Sequence, residues 1–401
     1  VTAVPQRWFS TILLEFNLRD QFIERDAGLF YEGLKANGMD ARFLVIGDPQ
    51  MVRPPEILLA RLRDMENPDW WRQWSLDGVV LYSWALPRFT PVADAIKAAG
   101  AMLVLILDTD GYVAPRVAPW MYLRNKFYRE KENGGPLPSV RALAKWAGAA
   151  LKARHQGTLR HLERADLLAV PSPVAARHYR RYLEWLGKKD LAPRVLPVPY
   201  PVAEIMRYDG RPKENLIVAV GGWARLQKNA RLLVKVIERA LAHAPAWRAE
   251  IIGAGTGLIE GWLTQIEPSV RERIRVVGPV LNDKLPAVLQ RCKVSLCTSY
   301  HESFHLATAE ALCCGCSFVG DRWISSMEYF ESVEGSGTAS ADLSLSHVAG
   351  ALLAEVRHWE EGRRDPWAIS RTWTGLVHPK PAAERILAQA GTIRRNQIAH
   401  Q

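Results

Sequence analysis

The stretch from Ser299 to Leu312 carries the densest set of groups able to do chemistry in this chain. It reads Ser-Tyr-His-Glu-Ser-Phe-His-Leu-Ala-Thr-Ala-Glu-Ala-Leu. The short apolar run Val294 to Cys297 before it reads as a buried parallel strand, and Phe304 to Leu312 reads as a buried helix. A strand therefore passes through a polar turn into a helix N-terminus. Such a turn presents backbone N–H groups without intrahelical acceptors and the positive end of a helix dipole, both suited to a phosphate. The N–H groups of Ser303, Phe304, His305 and Leu306 are the candidates. Glu310, four residues after Leu306, can accept two hydrogen bonds from the hydroxyls of a ribose. Glu302, before the helix, can reach a second polar group of the same ligand. Glutamate spacing alone favours two solvent-facing carboxylates beside a core helix. The strand, turn and helix around them favour a site.

Three further clusters merit the same question. Gly221-Gly222-Trp223-Ala224-Arg225-Leu226-Gln227-Lys228 follows a strand and opens a helix. With its two cations it can hold a diphosphate, Lys228 neutralising the leaving phosphate. Gly253-Ala254-Gly255-Thr256-Gly257 also follows a strand and invites a dinucleotide reading. Its spacing is not G-x-G-x-x-G, and no acidic residue clearly closes the next strand, so binding of NAD is a minority reading. Asp108-Thr109-Asp110 ends an apolar strand, where each aspartate can accept from a sugar hydroxyl or cap the turn. His155, His161 and His178 sit on basic helical stretches and are expected to face solvent.

These clusters need a scaffold, and the chain supplies a regular one. Strand-like and helix-like segments alternate almost throughout, which implies parallel sheets covered by helices, an α/β fold. The first series has strands at Phe9 to Glu15, Arg42 to Ile46, Gly78 to Tyr82, Met102 to Asp108 and Leu167 to Val170. A polar turn with Asn17, Arg19 and Asp20 follows the first of them. From Gly111 to about Pro138 the pattern breaks, with Pro115, Pro119, Pro136 and Pro138 among Arg116, Arg124, Lys126, Arg129 and Lys131. That is longer than a connection requires, so a functional loop or lid is expected. Pro197, Pro199 and Pro201 mark a linker. The second series has strands at Leu216 to Gly221, Ala249 to Ile252, Ile274 to Val277, Val294 to Cys297 and Ser317 to Val319. Its first helix repeats apolar pairs at Leu232/Leu233, Val236/Ile237 and Ala240/Leu241, one buried face. The expected division is 1–198, a linker 199–215, 216–365, and a helical segment 366–401.

With the trailing Glu310-Ala311-Leu312-Cys313-Cys314-Gly315-Cys316, the Ser299 stretch resembles the E-x7-E element of retaining glycosyltransferases of the GT-B architecture (the group 1, family 4-like enzymes). The resemblance implies two Rossmann-like domains facing a cleft, the first for the acceptor and the second for a nucleotide-sugar donor. It implies a final helix crossing back to the first domain. It implies that Glu310 holds the ribose, that Glu302 contacts the donor sugar, and that the turn's backbone faces the sugar and diphosphate. Lys228 matches the second member of the family's Arg-Lys pair, whereas the usual Arg after the first Gly is Gly222 here, and Arg225 is the nearest substitute. The Gly253 turn matches a Gly-rich turn of the family's donor pocket. Family members often carry a His where this chain offers Asp108 or Asp110. Asp108 and Asp110 also resemble the D-x-D metal motif of GT-A enzymes, but that architecture has one nucleotide domain. His305 stands where the family commonly has Gly, narrowing the sugar pocket. The implied activity is transfer of a hexose-type sugar with retention, metal-independent and without a separate cofactor, from a UDP- or GDP-type donor to a glycan, lipid-linked or other acceptor. A non-catalytic protein of this fold that binds a nucleotide or glycan is the alternative.

Composition bounds these readings. At 401 residues the chain exceeds one compact core, so two domains are expected. The 48% hydrophobic and 23% charged content is that of a soluble globular protein, with neither a membrane span nor a secretory leader expected. All five cysteines fall between Cys292 and Cys316, too crowded for a disulfide framework, and read as buried thiols in a reduced cytoplasm. The net charge of +10 suits nucleic acid, an anionic membrane or an anionic substrate. No nucleic-acid motif is present to support the first. The basic run through Lys145, Lys152, Arg154, Arg160 and Arg164 leaves a peripheral contact with the inner membrane face open. So do the crowded Trp70, Trp71 and Trp74, which equally suit a core or a sugar cleft.

Overall fold

The computed structural model describes residues 5–15, 24, 26–132 and 140–399. The expected turn at Asn17, Arg19 and Asp20, together with Pro136 and Pro138, lies outside them. The chain separates into two compact units. The first comprises 1–117, 148–203 and 376–401, and the second 118–147 and 204–375. Residues 118–147, expected within the N-terminal domain, thus group with the second unit.

Among the described residues the first unit holds seven parallel strands: β1 (Arg7–Glu15), β2 (Asp40–Ile46), β3 (Ile57–Ala60), β4 (Gly78–Tyr82), β5 (Met102–Ile106), β6 (Leu167–Val170) and β7 (Val195–Pro197). Their order is β3-β2-β1-β4-β5-β6-β7. The second unit holds six, β8 (Leu216–Val220), β9 (Arg248–Ile252), β10 (Ile274–Gly278), β11 (Val294–Leu296), β12 (Ser317–Asp321) and β13 (Gly337–Ser340), in the order β10-β9-β8-β11-β12-β13. Each order grows outward from its first strand in one direction and then reverses. This doubly wound pattern opens a crevice at the strand ends beside the reversal. In the second unit that point lies between β8 and β11.

Burial on both sheet faces explains why the central strands are unbroken apolar runs. β4 and β5 are buried at every residue. β3, β7 and β13, of three or four residues each, are not among the strands expected from the sequence. The helix Ala230–His243 buries Leu233, Val234, Val236, Ile237, Ala240 and Leu241, so Val234 and not Leu232 completes its inner face. The helix Pro379–Ala399 packs on the helix Asp26–Ala36 of the first unit. Gly33 permits the approach, since a Cβ there would sit 2.1 Å from the Pro379 carbonyl oxygen. Asn37 Nδ2 donates to the Lys380 carbonyl at 2.9 Å, and Arg394 pairs with Asp77 at 2.9 Å.

Several expectations change. The stretch expected to be irregular contains the helix Pro119–Glu132. Proline stands at its first position, where the missing N–H costs nothing, and no proline interrupts its interior. Trp71 is fully buried, donates to the Met65 carbonyl at 2.7 Å and packs edge-on with Trp70, so this tryptophan group is core of the first unit. All five cysteines are free and buried.

The three histidines do not face solvent. His155 lies between the Tyr182 hydroxyl at 2.8 Å and the Ala149 carbonyl at 2.9 Å, and His178 packs on the Tyr112 ring. His161 is fully buried, with Nε2 at 2.8 Å from Ser83 Oγ and Nδ1 at 3.3 Å from Thr90 Oγ1. Burial lowers its pKa from the usual 6.5 to about 4. As pH falls the unfolded chain therefore takes up this proton first, and stability is lost between pH 6.5 and 4. The loss approaches about 1.4 kcal/mol per pH unit, about 3 kcal/mol in all. Urea unfolding at several pH values should show native stability falling through this window, and His161→Gln should flatten the slope by one proton. An unchanged slope would contradict the assignment.

Candidate functional site

Two turns meet at the reversal between β8 and β11, both in the second unit. The turn after β8 closes in a short 3-10 turn, Leu226–Lys228, and Asn229, in the left-handed region at φ 51°, redirects the chain into Ala230–His243. The turn after β11 runs from Cys297 to the helix Leu306–Cys313. The two are stitched together. The Tyr300 amide donates to the Gln227 carbonyl at 2.8 Å, Gln227 Nε2 donates to the His301 carbonyl at 2.7 Å, and Thr298 Oγ1 donates to the Lys228 carbonyl at 2.9 Å. The side chains complete the seam, with Lys228 Nζ 2.7 Å from Glu302 Oε1 and only 17% and 11% of the two side chains exposed.

His305 caps the helix Leu306–Cys313. Its Nδ1 accepts from the Thr308 amide at 3.2 Å and lies 2.8 Å from Thr308 Oγ1. Burial, and then the nearby Lys228, hold its pKa well below the usual 6.5, so it is neutral with its proton on Nε2. The cap consumes the amide of the third helical residue. The amides of Leu306 and Ala307 remain without a partner in the helix's own ladder. Glu310 is half-buried one turn further along. Beneath this assembly Cys297 is pushed up to about 12, by burial and then by Glu302, which makes it an inert packing thiol.

The β8 turn also rests on the Gly253 turn. The Gly221 amide donates to the Ile252 carbonyl at 3.0 Å, the Trp223 amide to the Ala254 carbonyl at 2.8 Å, and Trp223 Nε1 to the Ile252 carbonyl at 2.9 Å. Gly253 has φ 130°, and a Cβ there would stand 1.8 Å from the Gly221 carbonyl oxygen. Its glycine is thus required by turn-on-turn packing. Gly222 differs: it is exposed, and a Cβ there meets nothing within 4 Å. Arg225 is exposed as well.

The structure thus brings Lys228, Glu302, Ser303, Phe304, His305, Leu306, Glu310, Gly222, Arg225 and Gly253 to one end of one sheet. Asp108 and Asp110 belong to the first unit, at the end of β5. Asp108 is exposed and accepts from the Tyr200 hydroxyl at 2.9 Å, whereas Asp110 is buried and accepts from the Tyr112 amide at 2.9 Å, a turn cap. Among the described residues no group of three or more His, Cys, Asp or Glu is arranged to hold a metal.

A second layer of contacts was not legible as such. Arg124, on the helix Pro119–Glu132, donates through Nη2 to the Tyr300 carbonyl at 3.0 Å and forms an ion pair with Asp321 at the end of β12. Asp321 is fully buried, and burial raises its carboxyl above the usual carboxylate range in spite of Arg124. Tyr128, one turn on, stacks on Tyr300 with centroids 3.5 Å apart and rings 11° from parallel. A carboxylate closing an apolar strand was the available signal for Asp321. Nothing in the sequence pairs it with an arginine so far away in the chain.

Residues 214–337, which span both turns, match the family described as Glycosyl transferases group 1. The fold is that of the GT-B glycosyltransferases. Sucrose-phosphate synthase from Thermosynechococcus elongatus is similar over 99% of this chain and 100% of its own, with 16% identity and a TM-score of 0.62. Anabaena HepE in complex with UDP covers 96% and 100%, with 11% identity and a TM-score of 0.64. The α,α-trehalose 6-phosphate synthase of Burkholderia multivorans covers 98% and 100%, also with 11% identity and a TM-score of 0.64. No curated protein sequence matches this chain significantly. In this GT-B chain, Gly253→Ala should cost at least about 2 kcal/mol of stability, through clash and backbone strain together. Gly222→Ala should stay within about 0.5 kcal/mol. Thermal melts of the two variants check this, and equal losses would refute the turn-on-turn account.

Proposed function

We propose that the protein is a glycosyltransferase that moves a sugar from a nucleoside-diphosphate donor to an acceptor with retained anomeric configuration. The observation that carries this reading is the seam between the β8 and β11 turns. There a cation, a carboxylate, a helix N-terminus and a second carboxylate converge at the reversal of a doubly wound sheet. Glu310 holds the two ribose hydroxyls. The diphosphate lies over the amides of Ser303, Phe304, His305 and Leu306, with Lys228 beside it and Arg225 free to swing in from solvent.

The chemistry is loss of the nucleoside diphosphate from the anomeric carbon through an oxocarbenium-like transition state. As the C–O bond breaks, its electron pair moves onto the leaving phosphate. Lys228 and the helix amides stabilise that growing charge without reorganising, because they are fixed in advance. In the free protein Lys228 is engaged by Glu302. A diphosphate competes for that ammonium and frees Glu302 to take a hydroxyl of the donor sugar. The acceptor hydroxyl attacks from the face the leaving group vacates and gives its proton to the departing phosphate oxygen, so no enzymic nucleophile is needed. Asp108, exposed in the first unit, is the group we assign to a sugar hydroxyl; Asp110 is assigned to the turn. No separate cofactor enters this scheme, and it requires no metal.

The acceptor is a glycan, a lipid-linked molecule or another hydroxyl compound. Exposed Trp120 and Leu123 on one helix, and exposed Val140 and Leu143 beside Arg141 and Lys145 on the next, support a peripheral contact with an anionic membrane from the cytoplasmic side. No helix among the described residues is long and apolar enough to cross a membrane. A binding protein without transfer is the second reading, favoured by the missing cation at Gly222.

UDP is the first ligand to test, because HepE has been solved with UDP and with UDP-glucose. Thermal stabilisation by UDP, GDP, ADP and NADH should show a response to one nucleoside diphosphate. That response should reach about 2.7 kcal/mol at a hundred times its dissociation constant, and Lys228→Ala and Glu310→Ala should abolish it. Release of free sugar from the matching nucleotide sugar then separates a transferase from a binding protein. A folded protein that responds to none of the nucleotides would sink the donor-site reading.

A further inference from the structure

Tyr300 is held at three points. Its amide donates to the Gln227 carbonyl at 2.8 Å, its carbonyl accepts from Arg124 Nη2 at 3.0 Å, and its ring lies flat against Tyr128. Two of the three holds come from the helix Pro119–Glu132, which also packs against Leu226–Lys228. Glu302 is two residues further on, so the peptide these contacts fix is the one that sets where Glu302 starts.

The same Arg124 nitrogen that reaches Tyr300 also meets Asp321 Oδ2. The other carboxylate oxygen of Asp321 accepts from the Trp323 amide at 3.2 Å. Arg124 therefore bridges the turn after β11 to the end of the neighbouring strand β12. A buried carboxylate is costly without its cation, so Asp321 in turn fixes where the guanidinium sits. The arginine has one placement that satisfies both partners. An ion pair serving stability alone has no need to add the carbonyl of a residue that a second side chain stacks upon.

We propose that Arg124, assisted by Tyr128, is a positioning residue for the nucleotide-sugar turn, acting through Tyr300 to hold Glu302 and the helix N-terminus at Leu306 in binding geometry. This rests on the donor-site reading above. It assigns a role to a helix that lies far from both turns in sequence, between β5 and β6.

The test must separate positioning from stability. Arg124→Met alone leaves Asp321 buried without a cation and should melt early. Arg124→Met combined with Asp321→Asn removes both charges, and replacing a buried pair by neutral groups is often close to neutral for stability. The double variant should therefore melt near the native protein and yet bind the stabilising nucleoside diphosphate at least tenfold more weakly by calorimetry, because the Tyr300 carbonyl is no longer held. Tyr128→Ala, which leaves the ion pair intact, should weaken binding about threefold, and Tyr128→Phe should restore native affinity by keeping the stack. Native affinity in the double variant, or in Tyr128→Ala should the double variant not fold, overturns the positioning role and leaves the donor site standing. Absence of binding by the native protein to UDP, GDP and ADP overturns both.

Discussion

The hydrogen bond from the Tyr300 amide to the Gln227 carbonyl is the contact on which the candidate site depends. β8 and β11 are neighbours in the sheet, but the chain leaves them in opposite directions around it. Their following turns would splay apart if each were governed only by its own helix. The Tyr300–Gln227 bond, with the Gln227 side chain returning to His301, ties one turn to the other across that divergence. Lys228 and Glu302 can meet because their backbones have already been brought together. The ion pair follows from the stitch and does not replace it.

That order of cause matters for the energetics. A pair as enclosed as Lys228 and Glu302 loses much of its hydration, and the Coulomb gain offsets that loss only when the geometry is good. A backbone stitch supplies good geometry without fixing long side chains by their own attraction. The pair is then a poor source of stability but a well-placed reserve of charge. Lys228 can exchange Glu302 for another anion, which frees Glu302 to accept from a hydroxyl. The neutral His305 beneath fits this arrangement, since a protonated imidazole so close to Lys228 would repel it, and burial keeps the ring neutral.

Much of this was legible in the sequence, for identifiable reasons. The strands that carry the site are buried on both faces, so β8, β9 and β11 stand out as apolar runs, and each ends in a turn of unusual composition. Glu302, Glu310 and Lys228 lie close in sequence to those strand ends, and local pattern places them. What failed was whatever depended on distant partners. His161 looks like one more cation on a basic helix until Ser83 and Thr90 are found against its two ring nitrogens. Arg124 reads as part of a basic loop because its partners, Tyr300 and Asp321, are supplied by strands nearly two hundred positions later. The prolines around it suggested irregular chain, yet Pro119 starts a helix.

Gly222 remains the point where this chain departs most from the family it resembles, and the structure narrows the reason. The backbone there has room for a side chain, so steric exclusion does not account for the missing cation. Gly253, on the neighbouring turn, shows what steric exclusion looks like, with a carbonyl oxygen 1.8 Å from where a Cβ would be. Among the described residues, the buried cation at the seam is therefore Lys228, already paired with Glu302. In the proposed scheme, a diphosphate bringing two or more negative charges would draw the rest of its compensation from the amides of Ser303 to Leu306 and from Arg225, which starts in solvent. Amides held in place donate hydrogen bonds at contact, whereas an exposed guanidinium acts through a screened charge. Under the proposed scheme, donor binding would thus lean on backbone geometry more than on charge. That makes the holds on the turn, Gln227 on one side and Arg124 on the other, more consequential than they would be beside a second arginine.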